Sequence, residues 1–187
     1  MTSLPRRRLL GAAAAFPFAG VAFGQALPLT PECGARAAPT PRQTEGPYYT
    51  PNTPQRSSLV EPGSKAERLT LTGRVVDAQC RPVAKALLDF WHCDENGEYD
   101  NAGFRYRGHL FTDAEGRYRL ETIFPALYPG RARHIHVKVQ APGRRILTTQ
   151  LYFPGDARDS LWRKELEVVM EQRPQGRLAA FQFIVDA

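Results

Sequence analysis

The chain has 187 residues, of which 42% are hydrophobic and 24% are charged; this suits one globular domain and excludes collagen-like or wholly disordered chains. Its formal net charge is +6, from 25 basic and 19 acidic residues. A charge of this sign suits binding to nucleic acid or to an anionic membrane, unless the basic residues lie in a segment that is removed.

Residues 1–26 have the pattern of an export signal. Three arginines at positions 6–8 precede an apolar run, and small residues follow at a plausible cleavage site. The paired arginines predict the twin-arginine route, and therefore a periplasmic or secreted protein. We expect no stable membrane anchor because the apolar run is short for a span, although an uncleaved anchor is the alternative.

Removal of residues 1–26 would also change the net charge. Subtracting their three arginines from the 25 basic residues leaves 22 against 19 acidic ones, or +3. Since the rest are scattered, we expect no nucleic-acid partner.

A proline-rich segment follows at residues 27–62, which hold eight of the sixteen prolines. Proline blocks both helices and central strands, so the segment is predicted to be an extended arm laid over a domain formed by residues 63–187. Cys80 and Cys93 are separated by a predicted strand whose residues rise about 3.3 Å each, too far for a disulfide. A bridge between Cys33 and Cys80 is the preferred pairing, and three reduced cysteines are the alternative.

Short alternating runs, rich in β-branched residues and separated by turns, dominate residues 63–187 and predict an all-β, antiparallel β-sandwich. Two hairpins are expected first, and Leu161, Leu166, Val169 and Met170 have helix-like spacing that predicts one short C-terminal helix. In chain order, the predicted elements are a hairpin of strands 69–77 and 83–92, a hairpin over residues 110–122, strands 134–140 and 146–153, a helix within 159–172, and strand 181–185.

Two of the four histidines, His134 and His136, lie two residues apart in a predicted strand. Side chains at positions i and i+2 of a strand point to the same face, so both imidazoles can converge on one metal ion. Tyr128 and Arg131 precede them in a proline-containing loop, and phenolate oxygen is a ligand suited to Fe(III). The alternatives are two ordinary histidines on a half-exposed face, or a zinc or copper site completed by His92 or His109.

Several blocks, in this order and spacing, resemble the intradiol catechol dioxygenases, the family of the catechol and protocatechuate ring-cleaving enzymes. The blocks are residues 43–49, 88–99, 112–118, 122–125, 131–136 and 147–153, together with Tyr128. The resemblance implies a small-molecule catechol and O₂ as partners, and cleavage between the hydroxyl-bearing carbons to a cis,cis-muconate-type diacid. It leaves open which substituted catechol is used, and whether a homo- or hetero-oligomer forms.

The resemblance also implies a non-haem Fe(III) ion held by Tyr99, Tyr128, His134 and His136. Tyr106, in the segment of residues 104–109, is a competing candidate for the first tyrosine, and Tyr99 is preferred because the frame from Trp91 to Gly97 fixes its register.

Further roles follow from the resemblance by position. Tyr128 would also be catalytic by accepting a substrate proton, and Arg131 would stabilise developing negative charge. Gln150 would lie beside the metal, while Gly46, Pro47 and Tyr48 would cover the substrate mouth. The alternative for Arg131 is a surface charge whose role Arg105 or Arg133 shares or replaces, and the alternative for Gln150 is a polar side chain on an outward strand face. The alternative for Gly46, Pro47 and Tyr48 is that the proline-rich arm docks on the domain without a role in substrate binding.

A second class of function also suits the predicted sandwich. Transthyretin-like domains share such strands and turns but bind carbohydrate or protein without chemistry. That alternative predicts no iron and needs neither the tyrosines nor the paired histidines.

Overall fold

The computed structural model of the protein describes residues 27–28, 33–34, 38–156 and 158–187. The predicted export signal at residues 1–26 lies outside these ranges. Within them, no helix is both long and apolar enough to cross a membrane.

The described chain folds into two four-stranded sheets, which confirms the predicted all-β class. The first sheet has the order β4-β1-β8-β7, and the second has the order β3-β2-β5-β6. The pairing of β1 with β8 is parallel, and the other pairings described are antiparallel. The strands are β1 (Arg68–Asp77), β2 (Leu87–Trp91), β3 (Arg107–Phe111), β4 (Arg117–Ile123), β5 (His134–Gln140), β6 (Leu147–Tyr152), β7 (Val169–Arg173) and β8 (Gly176–Val185).

The core lies between the two sheets and is built by alternation along the strands. Leu69, Leu71 and Val75 of β1 meet Ile135 and Val137 of β5 in one continuous apolar cluster. Each large aliphatic side chain buried in this way contributes about 1.5–3 kcal/mol to folding. Because Ile135 and Val137 face the core, the residues on either side of Ile135 face away from it.

The predicted first hairpin is wrong, because β1 and β2 lie in different sheets. After β1 the chain turns back and forms a single isolated antiparallel bridge between Val76 and Pro82. It then crosses to the second sheet. The hairpin predicted over residues 110–122 is wrong for the same reason, since β3 pairs with β2 and β4 pairs with β1. The four strands thus form one long antiparallel ribbon folded over the core. The loop at its end, residues 92–106, joins β2 to β3.

The predicted C-terminal helix is also wrong. Residues Lys164–Leu166 form a single 3₁₀ turn, and β7 follows as an edge strand paired with β8. The apolar positions had helical spacing, but Pro174 cannot continue a helix, and Arg173 pairs with Gly176 across Pro174 and Gln175. Pairing between β7 and β8 satisfies the backbone hydrogen-bonding groups of both strands. The last strand therefore begins at Gly176 rather than at residue 181, where it was predicted to begin.

The disulfide between Cys33 and Cys80 is present, with a Cα–Cα distance of 5.6 Å, and confirms the preferred pairing. Cys93 is free and buried in the described structure. The bridge ties the start of the proline-rich segment to the turn after β1.

Residues 38–62 run along both sheets and cross the face of the second one. Between residues 43 and 55 the segment covers the side of the second sheet that faces away from the core. Its backbone contacts with strands, in chain order, are Thr40 with Ile184 of β8, Gln43 with Thr148 of β6, Gln55 with His109 of β3 and Ser58 with Glu121 of β4.

Candidate metal centre and active site

His134 and His136 lie on β5, a central strand of the second sheet, and point away from the core. Both are buried, and their Nε2 atoms are 3.1 Å apart. On the neighbouring strand β2, Trp91 pairs with His136, and the two rings stack 4.8 Å apart at an angle of 7°. The two imidazoles therefore converge on one point, as their spacing in the sequence predicts.

The backbone around His134 fixes which of its nitrogens can bind a metal. Nδ1 lies 2.7 Å from the carbonyl oxygen of Ala132, which can only accept a hydrogen bond. Nδ1 therefore carries the proton, and the lone pair of the neutral ring is on Nε2, which faces His136. Among the described residues, Nδ1 of His136 has no hydrogen-bond partner.

Tyr99 reaches this pair from the loop between β2 and β3. Its hydroxyl lies 3.2 Å from Nε2 of His134. The loop turns tightly because a carboxylate oxygen of Asp94 accepts the N–H groups of Asn96 and Glu98 at 2.8 and 2.9 Å. Gly97 completes the turn and brings the loop against the segment that carries Tyr128.

Gly97 has a φ of +84°, and a Cβ at this position would lie 2.6 Å from the carbonyl oxygen of Leu127. Only glycine allows the two backbones to approach so closely. As a result, the rings of Tyr99 and Tyr128 lie edge to face with their centroids 5.7 Å apart. The structure thus places both predicted tyrosines on the side of the histidine pair.

Tyr128 and Arg131 are the two ends of one turn. The N–H of Arg131 donates to the carbonyl oxygen of Tyr128 at 3.0 Å, with Pro129 and Gly130 at the centre of the turn. The Tyr128 hydroxyl shares a 2.8 Å hydrogen bond with the hydroxyl of Tyr48 from the arm. One short segment therefore delivers a phenol and a guanidinium to the site.

The arm residues Gly46 and Tyr48 also lie at the site. Gly46 has a φ of +72°, and a Cβ there would lie 3.4 Å from Cε1 of His136. The ring of Tyr48 stacks on that of Tyr99 with centroids 4.6 Å apart. Pro47, between them, is exposed. The arm thus covers the sides of His136 and Tyr99 that face the candidate site.

Arg131 is held from two sides. Its Nε donates to Asp159 at 2.7 Å, and its Nη2 donates to Oε1 of Gln150 at 2.7 Å. Gln150 is the β6 residue paired with His136, and its amide donates to the carbonyl oxygen of Thr44 in the arm at 2.9 Å. Gln150 is therefore fully buried beside the histidines rather than on an outward face.

Asp159 is a residue that the sequence reasoning missed. One of its oxygens accepts from both Arg131 and the backbone N–H of Ala132, and the other accepts the N–H groups of Leu161 and Trp162 at 2.8 Å each. Burial by itself would raise the pKa of this carboxyl, but these hydrogen bonds outweigh it and hold the pKa below its usual value. Nothing local signalled this role, because Asp159 lies at the start of a segment that has helical spacing.

The competing candidates lie elsewhere. Tyr106 donates its hydroxyl to Glu95 at 3.0 Å and packs against His92. Both ring nitrogens of His92 form hydrogen bonds, Nδ1 with the carbonyl oxygen of Cys93 and Nε2 with the hydroxyl of Thr122. Among the described residues, no three histidine, cysteine, aspartate or glutamate side chains form a metal-binding group. A zinc or copper site of that kind therefore lacks its third ligand here.

The donor set at the site suits a hard, highly charged cation. Burial lowers the pKa of His134 to about 4 and that of His136 well below its usual value, so both rings are neutral, as metal ligation requires. Burial raises the pKa of Tyr99, so its phenol holds its proton unless a cation displaces it. Two neutral imidazoles and two phenols on one face thus fit Fe(III), whose hardness favours phenolate oxygen.

Residues 44–173 match the family model Dioxygenase_C, which describes dioxygenases. The chain is 50% identical to the dioxygenase domain of a dioxygenase carbohydrate-binding protein fusion from the cellulolytic bacterium Streptomyces sp. SirexAA-E. That match covers 80% of this chain and 99% of that one, with a TM-score of 0.78.

Curated relatives match more weakly. The chain is 32% identical over 143 residues to catechol 1,2-dioxygenase 2 from Acinetobacter lwoffii, a match that covers 63% of this chain and 52% of that protein. It is 38% identical over 109 residues to the protocatechuate 3,4-dioxygenase beta chain from Burkholderia cepacia, covering 48% of this chain and 46% of that protein. The chain therefore spans about half the length of the curated relatives it matches.

Proposed function

Because the chain belongs to the intradiol dioxygenase family, we propose that it is a non-haem Fe(III) oxidoreductase that cleaves a catechol-type ring. Cleavage falls between the two hydroxyl-bearing carbons, consumes O₂ and gives a cis,cis-muconate-type diacid. The observation that carries the proposal is the convergence of Tyr99, Tyr128, His134 and His136 on one face of β5. The names of its relatives, which act on catechol and protocatechuate, support the substrate class.

Tyr99, Tyr128, His134 and His136 would hold the iron. When bound, the ion supplies Lewis acidity, which lowers the pKa of coordinated hydroxyl groups and makes a bound catechol ring electron-rich. The Ala132 carbonyl keeps the lone pair of His134 on Nε2, and Trp91 fixes the plane of His136 by stacking. These two contacts orient the imidazoles before any ligand arrives.

If the bound cation held Tyr128 as a phenolate, its Oη would accept a proton from a substrate hydroxyl and become a neutral phenol. Its partner there is the Tyr48 hydroxyl at 2.8 Å, so the Oη retains a hydrogen bond in either protonation state. The Tyr99 hydroxyl instead faces Nε2 of His134, on the inner side of the site. This difference in partners supports a proton-accepting role for Tyr128 and a role for Tyr99 as a ligand that keeps its place.

Arg131 supplies positive charge to the anion that develops as the ring is attacked. Asp159 and Gln150 fix its guanidinium, so little reorganisation is needed when the charge forms. Gly46, Pro47, Tyr48 and Gln150 bound the substrate mouth, since the Gln150 amide ties the arm at the Thr44 carbonyl.

We propose that residues 1–26 export this enzyme through the twin-arginine route to the periplasm or beyond. The disulfide between Cys33 and Cys80 supports this location, because disulfides persist in oxidising compartments. Replacing the three arginines at positions 6–8 with lysine is expected to retain the protein in the cytoplasm. Fractionation followed by immunoblotting measures this, and unchanged export would contradict the assignment.

The visible spectrum of the purified, iron-loaded chain tests the metal centre. Charge transfer from tyrosinate to Fe(III) is expected to colour the protein, and catechol is expected to drive O₂ uptake. Tyr128→Phe should weaken the colour and reduce the rate, whereas the matched control Tyr106→Phe should leave both unchanged, since Tyr106 contacts Glu95 instead. A colourless chain without O₂ uptake would overturn the proposal, and an iron-free chain that binds carbohydrate or protein would support the transthyretin-like alternative.

A further inference from the structure

Arg107 is a completely buried cation with no acidic partner at hydrogen-bonding distance. Its side chain has a relative exposure of 0%. In the described part of the chain, its three hydrogen bonds all go to main-chain carbonyl oxygens, and none of the ion pairs includes it. Asp89, a buried carboxylate on β2, accepts hydrogen bonds from Tyr49 and Thr53 instead. Burying a charge that has no hydrogen-bonded counter-ion costs several kcal/mol, so an arginine held in this way requires an explanation.

The three hydrogen bonds join the two segments that bring phenols to the candidate site. Nε and Nη2 donate to the carbonyl oxygen of Asp100 at 2.9 and 2.7 Å, and Asp100 directly follows Tyr99. Nη1 donates to the carbonyl oxygen of Tyr48 in the arm at 2.5 Å. One guanidinium therefore spans the Tyr99 loop and the arm, whose rings stack on each other at 4.6 Å.

The backbone around Arg107 is built to hold this position. The preceding residue, Tyr106, has a φ of +52°, a conformation that costs a non-glycine residue about 1–2 kcal/mol. The carbonyl oxygen of Arg107 accepts two hydrogen bonds from Arg56 at 3.0 and 2.8 Å. On β2, the residue paired with Arg107 is Trp91, whose ring stacks on His136. The strand register thus connects Arg107 to the histidine side of the site as well.

Carbonyl dipoles satisfy the donors of the guanidinium, while the carboxylates of Asp100 and Asp89 lie near enough to favour its charged form but accept their hydrogen bonds from other groups. At the site next to it, the proposed function places two phenolates and an anionic catecholate, which would add further negative charge close to this guanidinium. We propose that Arg107 is a positioning residue that fastens the Tyr99 loop to the Tyr48 arm, and that its buried positive charge stabilises the anionic ligands of the metal centre. This inference rests on the proposed function for its second part, whereas the fastening of loop to arm concerns the chain alone.

Three variants test the inference. Arg107→Met removes the charge and the donors but keeps an unbranched side chain of similar length. Arg107→Lys keeps the charge but has no planar fork with which to bond both carbonyl oxygens. The matched control is Arg119→Met, because Arg119 lies on β4 in the other sheet and forms an exposed ion pair with Glu121. Circular dichroism shows whether each variant is folded.

The first measurement is hydrogen exchange in the iron-free, full chain. Arg107→Met is expected to speed exchange in residues 44–50 and 97–103 together, while Arg119→Met leaves both unchanged. If Arg107→Met does not fold, Arg107→Lys decides the point, with faster exchange expected in at least one of the two segments. Exchange unaltered in both segments would overturn the fastening role.

The second measurement is iron affinity by competition with a chelator, together with the position of the tyrosinate charge-transfer band. Arg107→Met is expected to weaken iron binding about ten- to hundredfold and to shift the band to longer wavelength, because the phenolate electrons lose a stabilising charge. Arg107→Lys should retain most of the affinity. Unchanged affinity and band in Arg107→Met would overturn the electrostatic role, whereas a wild-type chain that binds no iron would instead refute the proposed function.

Discussion

Replacing Asp159 with asparagine tests whether this carboxylate positions Arg131. The side chain keeps its size, and one oxygen can still accept the N–H groups of Leu161 and Trp162. The other oxygen, which accepts from Arg131 Nε at 2.7 Å and from Ala132 N–H at 2.9 Å, becomes an amide that donates. The N–H groups of Arg131 Nε and of Ala132 then face an amide NH₂ group, which can accept neither hydrogen bond.

The magnitude follows from these two lost interactions. A hydrogen bond between charged groups contributes about 1.5–3 kcal/mol, and a neutral one about 1 kcal/mol. Asp159 and Arg131 are largely shielded, with side-chain exposures of 10% and 20%, so water replaces the lost partners poorly. We expect the variant to lose about 3 kcal/mol of unfolding free energy, which is about 6–12 °C in Tm for a domain of this size.

The loss should depend on pH in a specific direction. The pKa of Asp159 in the folded chain lies below its ordinary value of about 3.9. A lowered pKa means that the ionised carboxyl stabilises the fold above the unfolded-state pKa, and that this stabilisation is lost as the pH falls through the folded-state pKa. The difference in stability between wild type and Asp159→Asn should therefore shrink as the pH is lowered from about 5 towards 2.

Two assays check the prediction, with Asp156→Asn as the matched control. Asp156 pairs with Arg133 at 3.2 Å, a single longer contact, so its replacement should lower Tm much less. Thermal unfolding measures stability, and O₂ uptake with catechol measures kcat/KM, which should fall about a hundredfold if the guanidinium moves by 1 Å. Equal Tm values for the two variants, with kcat/KM unchanged in Asp159→Asn, would refute the reasoning.

Two further predictions concern the frame of the site. Gly97→Ala should cost about 2–4 kcal/mol, because its φ is +84° and its Cβ would meet the Leu127 carbonyl oxygen at 2.6 Å. Gly143→Ala, with a φ of +71° and no atom within 4 Å, should cost only about 1 kcal/mol, and equal losses in urea unfolding would contradict the close approach at Gly97. Replacing both Cys33 and Cys80 with serine removes a crosslink over 47 residues, which should lower stability by about 4 kcal/mol. A urea midpoint that is the same in the wild type with and without reductant would count against that expectation.

Part of the site follows from local pattern alone. The alternation of β5 puts His134 and His136 on one face because strand geometry repeats every two residues. The reach of an extended strand excludes pairing between Cys80 and Cys93, and the bridge to Cys33 is present. Such features depend on covalent geometry over a few residues, so they can be predicted without knowledge of the partners.

Strand partners, in contrast, follow from the packing of the whole chain. The segments 69–77 and 83–92 have the pattern of a hairpin, yet β1 and β2 enter different sheets. Alternation states which side of a strand is apolar but not which strand lies beside it. The helical spacing within residues 159–172 failed for the same reason, since pairing with β8 outweighed a weak local preference.

The sequence by itself thus determined which side chains can do chemistry: the tyrosines and the histidines were visible in it, and an export signal was predicted from it. The tertiary structure decided which of those side chains meet and what holds them. Tyr99 rather than Tyr106 reaches His134, and Asp159 and Arg107 take up their contacts with Arg131, Tyr48 and Asp100, only after distant segments pack together. A hydrogen bond between residues far apart in the chain leaves no periodicity in the sequence, and only the folded arrangement of the two sheets brings its ends within reach.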